Sequence, residues 1–276
     1  PEALRAEALS LASRLGISPA EVEEALATLQ RGRPVLRAPH FVAYISNELP
    51  RLAASIPRSQ EIARIVTSLD LGLYEDVAAR IKRQLARTPA LHNAAALVLD
   101  NGSGEVLAWV GAPDFYDREA SGAIDAVRAR SPSGSTLKPF LYALALERGY
   151  SCATLLPDLK LGFGAEEAYR PENFDRRSRG LVRLRSALAG SLNVPAVYLL
   201  SRLGLKSFLA TCSSLGFGME QDTGARYGLA VAVGSAPVSL LELVRAFSVF
   251  PRGGSLPALA TVREIGVVFG QRTQLW

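Results

Sequence analysis

The chain is 276 residues long, 49% hydrophobic and 21% charged, with a formal net charge of +5. That composition excludes a disordered chain and leaves room for one large domain or two smaller ones. The positive charge is spread over arginines, with small groups at 31–37 and 176–185 and no interleaved aromatic residues, so nucleic acid is not an expected partner.

Two cysteines, Cys152 and Cys212, and two histidines, His40 and His92, make no metal-ligand spacing and no disulfide framework. Neither a metal nor a cofactor is expected. No apolar run approaches the length of a membrane span, and no signal peptide is visible. The chain begins at Pro1 and its single methionine is Met219, so it reads as an internal piece of something longer. A missing leader or anchor therefore says nothing about compartment.

Residues 1–57 read as helical, then irregular. Leu4, Leu9, Leu11 and Leu15 suggest a first helix ending at Gly16. Ser18-Pro19-Ala20-Glu21 is a capping box with proline at the first helical position, and Val22, Ala25, Leu26 and Leu29 give the next helix one apolar face up to Gly32. Pro34, Pro39, Pro50 and Pro57 mark 33–57 as a linker with a short helix around 41–47. Two short helices cannot build a useful core, so a second domain is expected over 58–276.

That domain opens with a strand over 62–69. Asp70 then caps a helix with the apolar stripe Leu73, Val77, Ile81 and Leu85. Strands over 93–99 and 105–110 flank the turn Asp100-Asn101-Gly102-Ser103-Gly104 and form a hairpin. Their nearly continuous apolar character predicts cover on both faces. A helix is expected from Ser135 to Glu147, a loop over 157–180, and helices over 181–189, 194–203 and 206–215. Ser239-Leu240-Leu241-Glu242 is a second capping box, whose helix should turn Leu240, Leu243, Val244 and Phe247 inward. The apolar tail 260–269 reads as one strand.

The densest chemistry lies at Ser131-Pro132-Ser133-Gly134-Ser135-Thr136-Leu137-Lys138-Pro139-Phe140. Ser135 and Lys138, three apart, share a face if helical. A helix start favours developing negative charge and disfavours an ammonium, which is one way to activate a serine. The spacing alone equally describes a capped amphipathic helix with an exposed lysine. Downstream, Ser191 and Asn193 fit either a site or a cap for the helix at Val194. Asn173 and Asp175 fit either a site or an ordinary turn, and Tyr169 either a site or packing.

Taken together and in order, these stretches resemble the transpeptidase domain of class A, bifunctional penicillin-binding proteins, most closely the 1C type. Thr67-Ser68-Leu69-Asp70 is similar to the domain's entry, and Asn93-Ala94-Ala95-Ala96 through Trp109-Val110-Gly111 to its first hairpin. Gly134-Ser135-Thr136-Leu137-Lys138-Pro139-Phe140 resembles the S-x-x-K nucleophile motif. Tyr169-Arg170-Pro171-Glu172-Asn173-Phe174-Asp175 resembles the loop before the second motif, and Ser191-Leu192-Asn193 resembles that motif, S-x-N. The block from Tyr227-Gly228-Leu229-Ala230 to Leu240-Leu241-Glu242-Leu243 is also of the family's type. The likeness spans roughly 60–257. Residues 1–57 look like the end of a glycosyltransferase domain and its linker, a weaker match.

The resemblance implies an α+β fold, an antiparallel sheet with an all-helical subdomain. It implies Ser135 as the nucleophile, Lys138 as base or electrostatic aid, Ser191 as proton relay, and Asn193 as a partner of both lysine and substrate. Substrate contacts would come from Gly134, Tyr169 and Asn173. The reaction would be D,D-transpeptidation on D-Ala-D-Ala stem peptides, with β-lactams as inhibitors, further cell-wall synthesis proteins as possible partners, no metal and no cofactor. The full-length protein would sit in the inner membrane, with this domain on the periplasmic side.

Three departures qualify this. Ser133 is an extra residue before Gly134, expected to disturb the approach to the nucleophile. No lysine is followed by Ser or Thr and then Gly, so the family's K-T-G motif is absent from the 276 residues. The glycosyltransferase's catalytic glutamate region is absent as well. An alternative is therefore a non-catalytic, truncated relative that binds peptidoglycan, a β-lactam or a partner protein. A β-lactamase or D,D-carboxypeptidase of the same superfamily is a third option, disfavoured by the linker-like start and the flanking class A motifs. Without the strands that would pair with the 93–110 hairpin, marginal stability is expected.

Overall fold

A computed structural model of the chain describes residues 36–164, 169–219 and 223–269. The two helices expected before Gly32 lie outside the described residues. The chain divides into two compact units, Pro1–Arg37 and Ala38–Trp276, and all described helices and strands belong to the second.

The first described helix, α1 (Pro39–Ala53), is longer than the short linker helix expected. Pro39 sits in its first turn, where a missing N–H costs nothing. Phe41 and Ile45 are buried, and the rings of Phe41 and Tyr44 lie 5.9 and 4.7 Å from Trp109. The segment is thus packed through aromatic contacts that its four prolines obscure.

Strand β1 (Gln60–Thr67) pairs antiparallel with the tail strand β8 (Val262–Phe269), from Gln60 opposite Phe269 to Thr67 opposite Val262. Helix α2 (Leu71–Ala86) follows, its N-terminus capped by Asp70, which accepts from the Leu73 N–H at 2.9 Å. The expected stripe Leu73, Val77 and Ile81 packs on the sheet core. The hairpin β2 (Ala96–Leu99) and β3 (Val106–Val110) forms as expected. Strand β3 is covered on both faces, as its adjacent buried residues Ala108, Trp109 and Val110 require, and β2 is half-buried. Asp70 N–H to Leu107 O, Val106 N–H to Ala260 O and Ser68 N–H to Thr261 O stitch the hairpin to the chain's two ends. Gly104 is needed there: its φ is +79°, and a Cβ would lie 2.5 Å from Ala258 O.

The nucleophile region departs from the expected single helix. Strand β4 (Arg130–Pro132) leads into a 3-10 turn at Gly134–Leu137, and α3 (Lys138–Glu147) starts only at the lysine. Pro139 has no N–H for the Ser135 carbonyl, so the Lys138 N–H bonds it instead. Helix α3 is apolar on every side, and Phe140, Leu141, Tyr142, Leu144 and Ala145 are buried. Such a helix belongs in the middle of a core, and Lys138 goes in with it.

Strands β5 (Leu155–Asp158) and β6 (Gly180–Arg183) pair antiparallel, Leu156 opposite Val182. The expected loop therefore begins and ends in strand, and the expected helix over 181–189 is only α4 (Leu184–Ala189). Cross-strand pairing outweighs the local helical pattern at Leu181 and Val182. Helices α5 (Asn193–Leu203) and α6 (Leu205–Ser214) pack on α3 through Val197, Leu200, Phe208 and Cys212. After α7 (Thr223–Tyr227) and a 3-10 helix at Gly228–Val233, strand β7 (Pro237–Ser239) pairs with β4.

Helix α8 (Leu240–Phe247) has the full capping box predicted for Ser239 and Glu242. Its stripe is not closed inside: Leu240, Leu243, Val244 and Phe247 line an open groove of about 540 Å³ with Leu99 and Thr136. Every described strand pair is antiparallel, and the whole is α+β.

Candidate active site

Ser135 lies on the 3-10 turn, and Lys138 follows that turn as the first residue of α3. Three residues per turn place positions i and i+3 one above the other, so the spacing that suggested a shared helical face gives a closer register here. Ser135 is exposed, and its hydroxyl has no hydrogen-bond partner among the described residues. The N–H groups opening a helical turn have no intrahelical acceptor, and the N–H of Ser135 itself can donate to an oxyanion.

The turn is held from outside. The Gly134 N–H donates to Gly234 O at 3.1 Å, and a Cβ on Gly234 would lie 1.7 Å from Gly134 O. Only a glycine lets these two backbones approach. The backbone of Ser133 has φ and ψ of −70° and −17°, and its N–H donates to Ala236 O at 3.2 Å, while its hydroxyl is buried without a hydrogen-bond partner among the described residues. Its carbonyl accepts from the Thr136 hydroxyl at 2.6 Å. The insertion continues the β4–β7 ladder into the turn, and Gly134 at φ +56° makes the bend.

Lys138 is 1% exposed. Its Nζ donates to the Ser191 carbonyl at 2.6 Å and to Asn193 Oδ1 at 2.8 Å, and lies 3.3 Å from Ser191 Oγ. Burial pushes its pKa down from the ordinary lysine range to about 8. A neutral amine keeps two N–H donors and gains a lone pair. The two carbonyl-type oxygens can take the donors, which leaves the lone pair for a hydroxyl proton.

Ser191 and Asn193 are the two ends of the short link between α4 and α5. The Ser191 N–H donates to Leu188 O and the Leu192 N–H to Ala187 O, the pattern of a Schellman motif. Ser191 occupies the left-handed position, φ +49°, where glycine is usual. This strained serine turns its carbonyl onto Lys138. Neither Ser191 nor Asn193 caps α5: the N-cap is Leu192, which has no side-chain bond to give. Asn193 uses Oδ1 for Lys138 and Nδ2 for the Glu172 carbonyl at 2.8 Å.

The remaining expected site residues lie further out. Tyr169 is half-buried, bonded through its backbone to Phe163 and packed on the helical core. Its hydroxyl pKa is raised by burial. Asn173 is 6% exposed and bonded within the protein. Asp158, which its sequence context does not single out, lies fully buried against Asn173. Cys212 is buried, its thiol pushed up to about 12, and Cys152 is exposed. Among the described residues no cluster of His, Cys, Asp and Glu could hold a metal ion, and no helix is long and apolar enough to cross a membrane.

Comparison with known proteins bears on the family and the fold. The family described as "Penicillin binding protein transpeptidase domain" matches residues 94–273. Penicillin-binding protein 1C of Escherichia coli is 32% identical over 225 residues, which is 81% of this chain and 28% of that protein. The chain thus spans less than a third of that relative's length. The crystal structure of penicillin-binding protein 1A from Haemophilus influenzae superposes with a TM-score of 0.56 at 28% identity, covering 63% of this chain and 25% of that one. PonA1 of Mycobacterium tuberculosis, solved in complex with penicillin V, shares the fold with a TM-score of 0.64 at 17% identity, covering 84% of this chain and 63% of that one. A buried lysine bonded to a S-x-N link, three residues after an exposed serine, on this fold and with this sequence likeness, places the chain in the penicillin-binding protein transpeptidase family.

Proposed function

We propose that the chain carries a peptidoglycan D,D-transpeptidase site working through an acyl-serine, within a bifunctional cell-wall synthase. The observation that supports it most is the buried Lys138 amine, three residues after Ser135 in the chain and shared by Ser191 and Asn193. With its pKa near 8, about a tenth of the lysine is neutral at pH 7.

In this reading Ser135 Oγ attacks the carbonyl carbon between the two terminal D-alanines of a stem peptide. Its proton passes to the neutral Lys138 Nζ, and the Ser135 backbone N–H is one donor to the oxyanion. The tetrahedral adduct collapses with cleavage of the C–N bond. The departing D-alanine nitrogen takes the proton back from Lys138 through the Ser191 hydroxyl. An amine of a second stem peptide then attacks the ester carbonyl, Lys138 accepts its proton, and as the ester C–O bond breaks Lys138 returns that proton to Ser135 Oγ, leaving the new amide and the free serine. A β-lactam follows the same first step and stays as the acyl-enzyme.

Residues 1–57 are read as the end of a glycosyltransferase domain and its linker, with α1 as the part of the linker seated on the transpeptidase domain, 58–276. The full-length protein is placed in the inner membrane with this domain on the periplasmic side, where stem peptides and other cell-wall synthesis proteins are available to it. The test is incubation with a stem pentapeptide ending in D-Ala-D-Ala and an amine acceptor, followed by mass spectrometry. Release of D-alanine and a cross-linked product, both absent in Ser135→Ala, is expected. A folded chain that binds the peptide without turnover would favour a non-catalytic relative.

A further inference from the structure

Behind the Ser191–Asn193 link lies a buried polar pair that the acyl-serine chemistry does not use. Asp158, at the end of β5, is fully buried, and Asn173 is 6% exposed. Asn173 Nδ2 donates to Asp158 Oδ1 at 2.6 Å and to the Arg177 carbonyl at 2.8 Å. Its Oδ1 accepts from the Asn193 N–H at 2.8 Å and the Val194 N–H at 3.4 Å. Asp158 is held in turn by the Arg179 N–H at 3.1 Å and by its guanidinium at 3.5 Å.

Each part has a physical reason. The first N–H groups of α5 need an acceptor, and its N-cap residue, Leu192, has none to offer. Asn173 supplies the cap from twenty residues away. An amide can sit either way round, but an ionised carboxylate only accepts. Asp158 therefore draws Nδ2 to itself and leaves Oδ1 facing α5. With two donors and one acceptor atom all engaged, Asn173 has nothing left for a substrate.

We propose that Asn173, oriented by Asp158, is the positioning residue of the site: it fixes the first turn of α5 so that Asn193 Oδ1 and the Ser191 carbonyl stay on the Lys138 amine. The inference rests on the acyl-serine reading for its catalytic meaning, and on geometry alone for its structural content. Loosening the link admits water to Lys138. The desolvation that lowers its pKa is then relieved, and the lysine moves back towards its ordinary range.

The experiment reads the lysine itself. The chain has four lysines, so selective ¹³Cε labelling gives four NMR signals, with Lys138 assigned by Lys138→Met. Asn173→Leu is expected to raise the Lys138 titration midpoint by about one pH unit or more. Val182→Ala, which weakens the β5–β6 pair without touching the link, should leave the midpoint in place. An unmoved midpoint in Asn173→Leu, or an equal rise in Val182→Ala, overturns the proposal. If Asn173→Leu does not fold, Asp158→Ala takes its place: it removes the acceptor that sets the amide, and a midpoint identical to the parent's overturns the proposal equally. Failure to form an acyl adduct would count against the acyl-serine reading and leave this result standing.

Discussion

Lys138 Nζ lies 2.8 Å from Asn193 Oδ1 across 55 residues of sequence. That contact joins the nucleophile turn to the α4–α5 link. Its cost is a lysine held out of water, and pH exposes that cost. The folded-state pKa is depressed to about 8 from 10.5. Between these values the unfolded chain binds more protons than the folded one, so this group's contribution to stability rises with pH from about 8 and levels off near 10.5. The full span is worth roughly 3 kcal/mol. Urea unfolding of the parent and Lys138→Met at several pH values should show the parent gaining on the variant across that window. A constant difference would mean that the lysine is solvated.

The same titration governs chemistry. If neutral Lys138 is the base, the rate of penicillin acylation should climb about tenfold per pH unit below pH 7 and level off above about pH 8. A flat profile from pH 5.5 to 9 would assign the lysine an electrostatic role only.

Ser191 carries its hydroxyl at a backbone conformation suited to glycine, φ +49°. Ser191→Gly and Ser191→Ala both remove the hydroxyl, but only glycine releases the strain. The glycine variant should be the more stable of the two by about 1 kcal/mol, although glycine is entropically unfavourable elsewhere. Both should lose acylation. Equal melting temperatures would show that the link is relaxed.

Gly234 should tolerate no side chain. Its φ is +84°, and a Cβ there would stand 1.7 Å from Gly134 O, so alanine must push the two 3-10 segments apart. A loss of ~3 kcal/mol or more in urea unfolding is expected. A loss below about 1 kcal/mol would mean the Gly134–Gly234 contact opens readily.

Much of this is legible in the sequence, because the informative features are local. The caps at Asp70 and Ser239, the 100–104 turn and the serine and lysine spacing all act over four or five residues. What is not legible depends on distant partners. Strand β6 exists because Leu181 and Val182 face Pro157 and Leu156. Helix α1 is ordered by Trp109, far along the chain. Asp158 gains its place only once Asn173 folds over it. The ladder partner of Ser133, Ala236, lies about a hundred residues away, so its local context does not show that bond.

The burial of α1 makes its own prediction. Phe41→Ala should cost about 3 kcal/mol or more while leaving the Lys138 contacts in place. A destabilised chain that still acylates would separate the docking of α1 from the chemistry. A change within about 0.5 kcal/mol, as at an exposed surface position, would show that α1 is not seated on Trp109.

The central claim is that Ser135 is a nucleophile activated by Lys138. Intact-protein mass spectrometry after incubation with a penicillin tests it most directly, with Ser135→Ala in parallel. The account predicts one added penicillin on the parent, mapped to the peptide containing Ser135, and none on the variant. An unmodified parent that circular dichroism shows to be folded, or an adduct that persists in Ser135→Ala, would contradict it.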